Sequence, residues 1–144
     1  MEPNNPNPQP QGSNGKKILI CEDEKFIAEL YEHVLSRAGH QVKIAANGKE
    51  GLDILSQEQF DLLLLDVMMP EINGLELLRQ WKLKNPTSQM LVLMLTNLGQ
   101  DAVIKEAFNL GASGYLIKAS LTPQQVLTEV NNALNSKLPP QNPQ

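Results

Sequence analysis

Two hydrophobic periodicities alternate along this chain, and that alternation restricts its fold more than any single residue does. Short apolar runs read as strands: KILIC (17–21), QVKIA (41–45), DLLLL (61–65), MLVLML (90–95) and GYLIK (114–118). Between them, apolar residues recur at helical spacing. Phe26, Ile27, Leu30, Val34 and Leu35 form one stripe, and Leu52 and Leu55 mark a shorter helix over 48–57. Leu75, Leu78 and Trp81 form a third stripe, Val103, Ala107 and Leu110 a fourth, and Val126, Val130 and Leu134 a fifth. Asn47 with Glu50, and Asn73 with Glu76, have capping-box spacing, while Thr122-Pro123 supplies an N-cap followed by proline in the first turn. Gly39 and Gly111 stand where helices should stop. Strands that alternate with helices imply parallel pairing through right-handed crossovers. The near-continuous apolar runs at 62–65 and 91–95 suit central strands covered on both sides. The expected fold is therefore α/β, a doubly wound five-stranded parallel sheet with five helices on both faces.

Proline marks the limits of this unit. Of ten prolines, four lie at positions 3 to 10 and three at 139 to 143. Residues 1–15 are mostly Pro, Asn, Gln, Gly and Ser, and 138–144 read LPPQNPQ. Such segments bury too little apolar surface to order, so both are expected to be disordered tails. That leaves one folded domain over 16–137. A net charge of −4 without clustered Lys and Arg argues against direct DNA binding. No run is long and apolar enough to cross a bilayer, and the N-terminus lacks the apolar core of a secretory signal. The lone Cys21 excludes an internal disulfide and reads as a small buried apolar residue. The expected location is the cytoplasm.

Ligands of such a sheet bind at the carboxyl ends of its strands, so the residues at those ends carry the functional reading. The first run is followed by Glu22, Asp23 and Glu24, the third by Asp66, the fourth by Thr96, and the fifth ends on Lys118. Each has an ordinary explanation singly: a solvated loop acid, a helix-dipole triplet, a turn hydroxyl, a surface lysine. Together they bring acids, a hydroxyl and an ammonium to one edge. Clustered carboxylates repel unless a cation joins them. Mg²⁺, with Mn²⁺ as a substitute, takes oxygen ligands at about 2.1 Å. Glu22, Asp23, Asp66 and the backbone carbonyl of Met68 would supply them. Asp66 then becomes a nucleophile toward a phosphoryl group, forming an aspartyl phosphate. Lys118 would neutralise charge on the phosphoryl oxygens, and Thr96 would hydrogen-bond one of them.

At these residues the chain resembles the receiver domains of two-component response regulators. ILICEDE is similar to the family's first-strand motif with its acidic pair, Glu22 and Asp23. DLLLLDVMMPEINGLELL resembles the phosphoacceptor motif, with Asp66 as acceptor, Pro70 in the following loop and Gly74 opening the next helix. VLMLTN carries the hydroxyl residue Thr96, and AFNLGASGYLIKAS the switch aromatic Tyr115 and the lysine Lys118. The resemblance covers about residues 16 to 137. It implies a flavodoxin-like sheet of strand order 2-1-3-4-5. It also implies a chemotaxis-regulator-like, single-domain signalling switch that is not an enzyme in the ordinary sense. The implied phosphodonor is a sensor histidine kinase, a phosphotransfer protein or a small phosphodonor. The implied downstream protein docks on the face made by the fourth helix, fifth strand and fifth helix. In the switch, Thr96 moves toward the phosphoryl group and Tyr115 turns inward.

The chain departs from the family pattern twice. Ala119 stands where the family often has a proline in a cis peptide, and Asn97 where a small residue is usual. Neither change removes a reacting group. Met68 and Leu98 flank the approach of water in the resembled family, and neither has a polar group to orient it. A slowly hydrolysed phosphoryl group is expected. Two other readings stand beside the switch. One is a receiver-like interaction module that never carries phosphate; retention of Glu22, Asp23, Asp66, Thr96 and Lys118 weighs against it. The other is a haloacid-dehalogenase-type phosphatase, whose D-x-D motif needs an acid where Met68 stands.

Overall fold

In a computed structural model of the chain, residues 15–97 and 101–136 are described. The two proline-rich ends, apart from Gly15, and Leu98 lie outside them. The strands are β1 (Lys17–Cys21), β2 (Gln41–Ala45), β3 (Leu62–Asp66), β4 (Leu91–Thr96) and β5 (Gly114–Ile117). The helices are α1 (Lys25–Arg37), α2 (Gly48–Leu55), α3 (Gly74–Lys84), α4 (Asp101–Asn109) and α5 (Pro123–Asn135). All strand pairs are parallel, in the order β2-β1-β3-β4-β5. The expected doubly wound architecture and strand order are both present.

Strand alternation sorts the core into two layers. Leu19, Cys21, Leu63, Leu65, Val92 and Met94 face one layer, closed by Leu55, Leu77, Leu78 and Ala107 from α2, α3 and α4. Ile18, Ile20, Leu62, Leu64, Leu93 and Leu95 face the other, closed by Ala28, Tyr31 and Leu35 of α1 and Val126 and Val130 of α5. A strand with helices on both sides needs apolar residues at odd and even positions alike. That requirement explains the uninterrupted leucines of β3, every one of which is fully buried.

Several local expectations shift. Asp66 and Thr96 are the last residues of their strands rather than the first beyond them, whereas Lys118 lies one past β5 in a single 3-10 turn, Lys118–Ser120. The α1 stripe is rotated: Ala28, Tyr31 and Leu35 are buried, while Phe26 is 72% exposed and Leu30 38%. Tyr31, three residues after Ala28 and four before Leu35, supplies a large apolar ring to that face. In α3 the buried pair is Leu77 and Leu78, with Leu75 and Trp81 packed only partly. The α2 helix ends at Leu55, two residues short of its expected end.

Three caps form with different partners. The Asn47 side chain accepts from the Glu50 N–H, but the Glu50 carboxylate accepts from Ala46 N–H instead of Asn47 N–H. The Asn73 side chain accepts from the Glu76 N–H, and Glu76 turns to Arg79 and Gln80. Thr122 and Gln125 make the full reciprocal box. Gly39 and Gly111 stop their helices with φ of 103° and 102°. No cis peptide bond occurs among the described residues, so Ala119 follows Lys118 in the trans form.

Candidate functional site

The site follows from strand register. Cys21 pairs with Leu65, so the next residues along these parallel strands, Glu22 and Asp66, emerge side by side. Asp66 pairs with Leu95, which sets Thr96 one residue beyond it, and Thr96 pairs with Ile117, one residue before Lys118. Three strand junctions thus deliver two carboxylates, a hydroxyl and an ammonium to one edge.

Glu22, Asp66 and Thr96 are the buried polar residues among those described, at 1%, 2% and 1% exposure. The Lys118 ammonium lies 3.0 Å from Glu22 Oε1, 3.3 Å from Glu22 Oε2 and 3.2 Å from Asp66 Oδ2. Backbone donors add one hydrogen bond to each carboxylate. Glu24 N–H donates to Glu22 Oε2 at 3.1 Å, and Met68 N–H donates to Asp66 Oδ1 at 3.1 Å. The Thr96 hydroxyl donates to the carbonyl of Asn97 at 3.2 Å. Asp23 is exposed at the rim, yet Glu22, Asp23 and Asp66 each offer an oxygen such that all three lie within 4.8 Å of one another.

Electrostatics favours an added cation here. Burial raises the Glu22 carboxyl, and the negative charge of Asp66 raises it further, to about 7; the Lys118 hydrogen bond opposes both. Burial likewise raises Asp66, against the opposing charge of Lys118. For Lys118 burial pulls downward, but its hydrogen bond to Glu22 and the charge of Asp66 outweigh this, so its ammonium is held more tightly than usual. The carboxylates of Glu22 and Asp66, with that of Asp23 at the rim, outnumber the one ammonium and leave the cluster net negative. The donors are hard oxygens, partly desolvated and already converging, which fits a hard divalent cation.

The loop after Asp66 is shaped around it. Glu71 takes a positive φ of 67° directly after Pro70, the position of a tight turn that favours glycine. Gly74 then starts α3 against the end of β3. A Cβ there would collide with the Asp66 carbonyl oxygen and come within 3.0 Å of Val67 Cα. The Met68 side chain points outward, 57% exposed. Tyr115, on the edge strand β5, is 43% exposed and meets Phe108 of α4 edge-to-face, with ring centroids 6.2 Å apart.

The predicted residues therefore separate into groups. Glu22, Asp66, Thr96 and Lys118 meet in a buried cluster, Asp23 joins from the rim, and Tyr115 stands apart on the α4–β5 surface. Two features escaped the sequence reading. The first is Tyr31, buried under the site on α1, with its phenol raised by burial and sensitive to the charges of Lys118, Glu22 and Asp66. The spacing of Ala28, Tyr31 and Leu35 was the available signal. The second is the pair of backbone donors at Glu24 and Met68, which have no sequence signature. Cys21 is fully buried, and burial followed by the charge of Glu50 pushes its thiol up, away from reactivity.

A five-stranded, doubly wound sheet with an acidic pocket and a lysine at its carboxyl edge defines a narrow class of protein. A family model for the response regulator receiver domain matches residues 18–131, and the chain belongs to that family, the receiver domains of two-component response regulators. It is 45% identical over 104 residues to the transcriptional regulatory protein CrdR of Helicobacter pylori, covering 72% of this chain and 48% of that one. It resembles a solved CheY-like receiver domain from Methanospirillum hungatei with a TM-score of 0.77 at 30% identity, covering 85% of this chain and 95% of that chain. A receiver domain titled as BeF3-activated DrrB matches with a TM-score of 0.73 at 30% identity, over 85% and 99% of the two chains. The chain spans about half the length of the curated relatives it matches. Among the described residues no helix is long and apolar enough to cross a membrane.

Proposed function

We propose that this chain is a phosphorylation-controlled switch whose acceptor is Asp66. The observation that carries this reading is the buried Asp66 carboxylate, with Lys118 Nζ at 3.2 Å and two further acids within reach of one cation. In the reaction an Asp66 carboxylate oxygen attacks phosphorus, the bond from phosphorus to the donor's leaving group breaks, and the leaving group departs with its electron pair. Lys118 follows the charge from the carboxylate to the phosphoryl oxygens, and the Thr96 hydroxyl turns from the Asn97 carbonyl to donate to one of them. Met68 N–H holds the second carboxylate oxygen in place, and the closed layer beneath Asp66 excludes water from behind it. Glu22, Asp23, Asp66 and the Met68 carbonyl would hold Mg²⁺ or Mn²⁺, which supplies charge neutralisation on the transferring group.

The donor in this reading is a sensor histidine kinase, a phosphotransfer protein or a small phosphodonor in the cytoplasm. The folded unit is the receiver domain over 16–137, which promotes its own phosphorylation and dephosphorylation rather than turning over a separate substrate. The output passes through the face of α4, β5 and α5 to a protein partner, with Thr96 moving toward the phosphoryl group and Tyr115 leaving its contact with Phe108 to turn inward. Such a change requires the phosphoryl group to stabilise one pre-existing state over another.

Incubation with acetyl phosphate and Mg²⁺, read by intact mass, tests the chemistry. The expected result is one added phosphoryl group in the wild type and none in Asp66→Ala. Equal labelling of the two proteins overturns the acceptor assignment. With beryllofluoride, backbone NMR shifts should extend to Tyr115. Shifts confined to residues touching Asp66 would favour an interaction module without a switch.

A further inference from the structure

α4 is the helix least rooted in the core. Ala107 is its one buried residue, whereas each of the other four helices buries at least two. Val103 and Leu110 pack only partly against the core layer that α4 shares with α2 and α3. A methyl group and two partly covered side chains supply little burial energy, so contacts at the flanks of α4 carry a larger share of its placement.

α3 supplies such contacts on one flank. The Arg79 guanidinium bridges two acids: Nη1 donates to Glu76 Oε1 on its own helix, and Nη2 donates to Glu106 Oε2 on α4 at 2.8 Å. Gln80 Nε2 donates to the other Glu76 oxygen at 3.0 Å, so the fork is set on α3 before it reaches across. Nearly one turn further along α3, Lys82 lies over the stop of α4. A Cβ on Gly111 would fall 2.6 Å from Lys82 Cε and 3.1 Å from its Nζ. That places an ammonium beside the C-terminal end of a helix, where the helix dipole favours positive charge. On another flank Phe108 meets Tyr115 of β5. Glu106 and Phe108 are two residues apart, about 200° around the helix axis, so α4 is braced from opposite sides.

We infer that Arg79 and Lys82 form a strap from α3 that holds α4 in this seat and sets how readily the switch is thrown. The inference rests on the switch proposed above, in which Tyr115 leaves Phe108. α4 is the first helix after Thr96, and it loses its ring contact when Tyr115 turns inward. The strap is then a polar connection that still fixes α4 in its resting place. A restraint that stabilises the resting arrangement opposes an activating ligand by the same factor, because the ligand shifts the equilibrium only by its differential affinity. The ion pair is half exposed, Arg79 at 42% and Glu106 at 47%, so it acts as a bias of about five-fold at most and not as a lock.

Two measurements on the full chain test this. The first needs no phosphoryl chemistry: deuterium exchange of the α4 amides in the wild type, Arg79→Gln, Glu106→Gln and the double variant. Exchange should rise about two- to five-fold in each single variant. It should rise no further in the double variant, because both changes remove the same bridge. Lys82→Met, which keeps the stem and removes the charge, should add to the rise. Unchanged α4 exchange in both single variants overturns the inference, and so do fully additive effects in the double variant. The second measurement is the beryllofluoride concentration that half-saturates the Tyr115 NMR shift with Mg²⁺. It should fall in the variants by about the factor seen in exchange. Wild-type half-saturation in variants with a loosened α4 overturns the role of the strap in the switch. No beryllofluoride response in any protein, wild type included, defeats the switch reading instead, and the strap then stands or falls by exchange alone.

Discussion

Lys118 Nζ lies 3.0 Å from Glu22 Oε1 and 3.2 Å from Asp66 Oδ2, so one ammonium serves two buried carboxylates. Removing a partner from such a cluster leaves buried charge uncompensated, a loss of about 3 kcal/mol. Lys118→Met should therefore lower the stability of the metal-free protein by roughly that amount. Mg²⁺ should restore more stability to this variant than it adds to wild type. Urea denaturation with and without Mg²⁺ measures both effects, and an unchanged midpoint in Lys118→Met would show that the ammonium carries no such charge balance.

The raised Glu22 carboxyl has a definite consequence for pH. In the metal-free folded state it keeps its proton up to about pH 7, whereas an ordinary glutamate loses it near 4.5. The folded state binds more protons between those values, so this contribution is fully present below the lower one and is lost as pH rises through the upper. Glu22→Gln should flatten the fall in stability across that window. Mg²⁺ affinity should rise with pH through about 7 in the wild type, because the cation must displace the Glu22 proton. Magnesium titrations at several pH values check this directly.

Gly74→Ala tests the close approach of α3 to β3. The added methyl would meet backbone atoms of Asp66 and Val67, which cannot rotate away. A destabilisation of about 1–3 kcal/mol is expected for such overpacking. Acetyl phosphate labelling of Asp66 should also slow, since the carboxylate moves with its backbone. A variant with wild-type midpoint and labelling rate would refute the contact.

If Asp66 carries the phosphoryl group as proposed, its lifetime is expected to be set in part by Met68, whose side chain is 57% exposed two residues beyond Asp66. Met68→Asn places an amide there that can orient water for in-line attack. Decay of the phosphorylated protein at neutral pH with Mg²⁺ should be faster in this variant than in the wild type. Equal decay would mean that this position does not control water access.

The strands and the doubly wound sheet were legible because the leucine run of β3 and the apolar run of β4 admit few placements other than a sheet covered on both faces, whereas the strand order followed only from the resemblance to receiver domains. The site was legible because parallel register carries the strand ends to one edge. The rotation of α1 was less accessible. Phe26 and Leu30 are as hydrophobic as the residues that replace them in the core, and a tyrosine is counted as polar although its ring buries as well as a leucine. The acidic triplet had a similar ambiguity. Composition alone does not say which of Glu22, Asp23 and Glu24 turns inward; the parity of Ile18 and Ile20 on β1 selects Glu22. Cap partners such as Ala46 N–H depend on loop geometry that no spacing rule encodes.

The position of β3 at the centre of the sheet also orders the molecule in time. Its amides are held within ladders to β1 and β4, under side chains that are fully buried, and should exchange with deuterium only through global opening. The edge strands β2 and β5 are paired on one side only and should exchange sooner. Asp66 is thus rooted in the last part of the protein to open and Tyr115 in one of the first, so a rigid anvil and a loose reporter are separated by the width of β4.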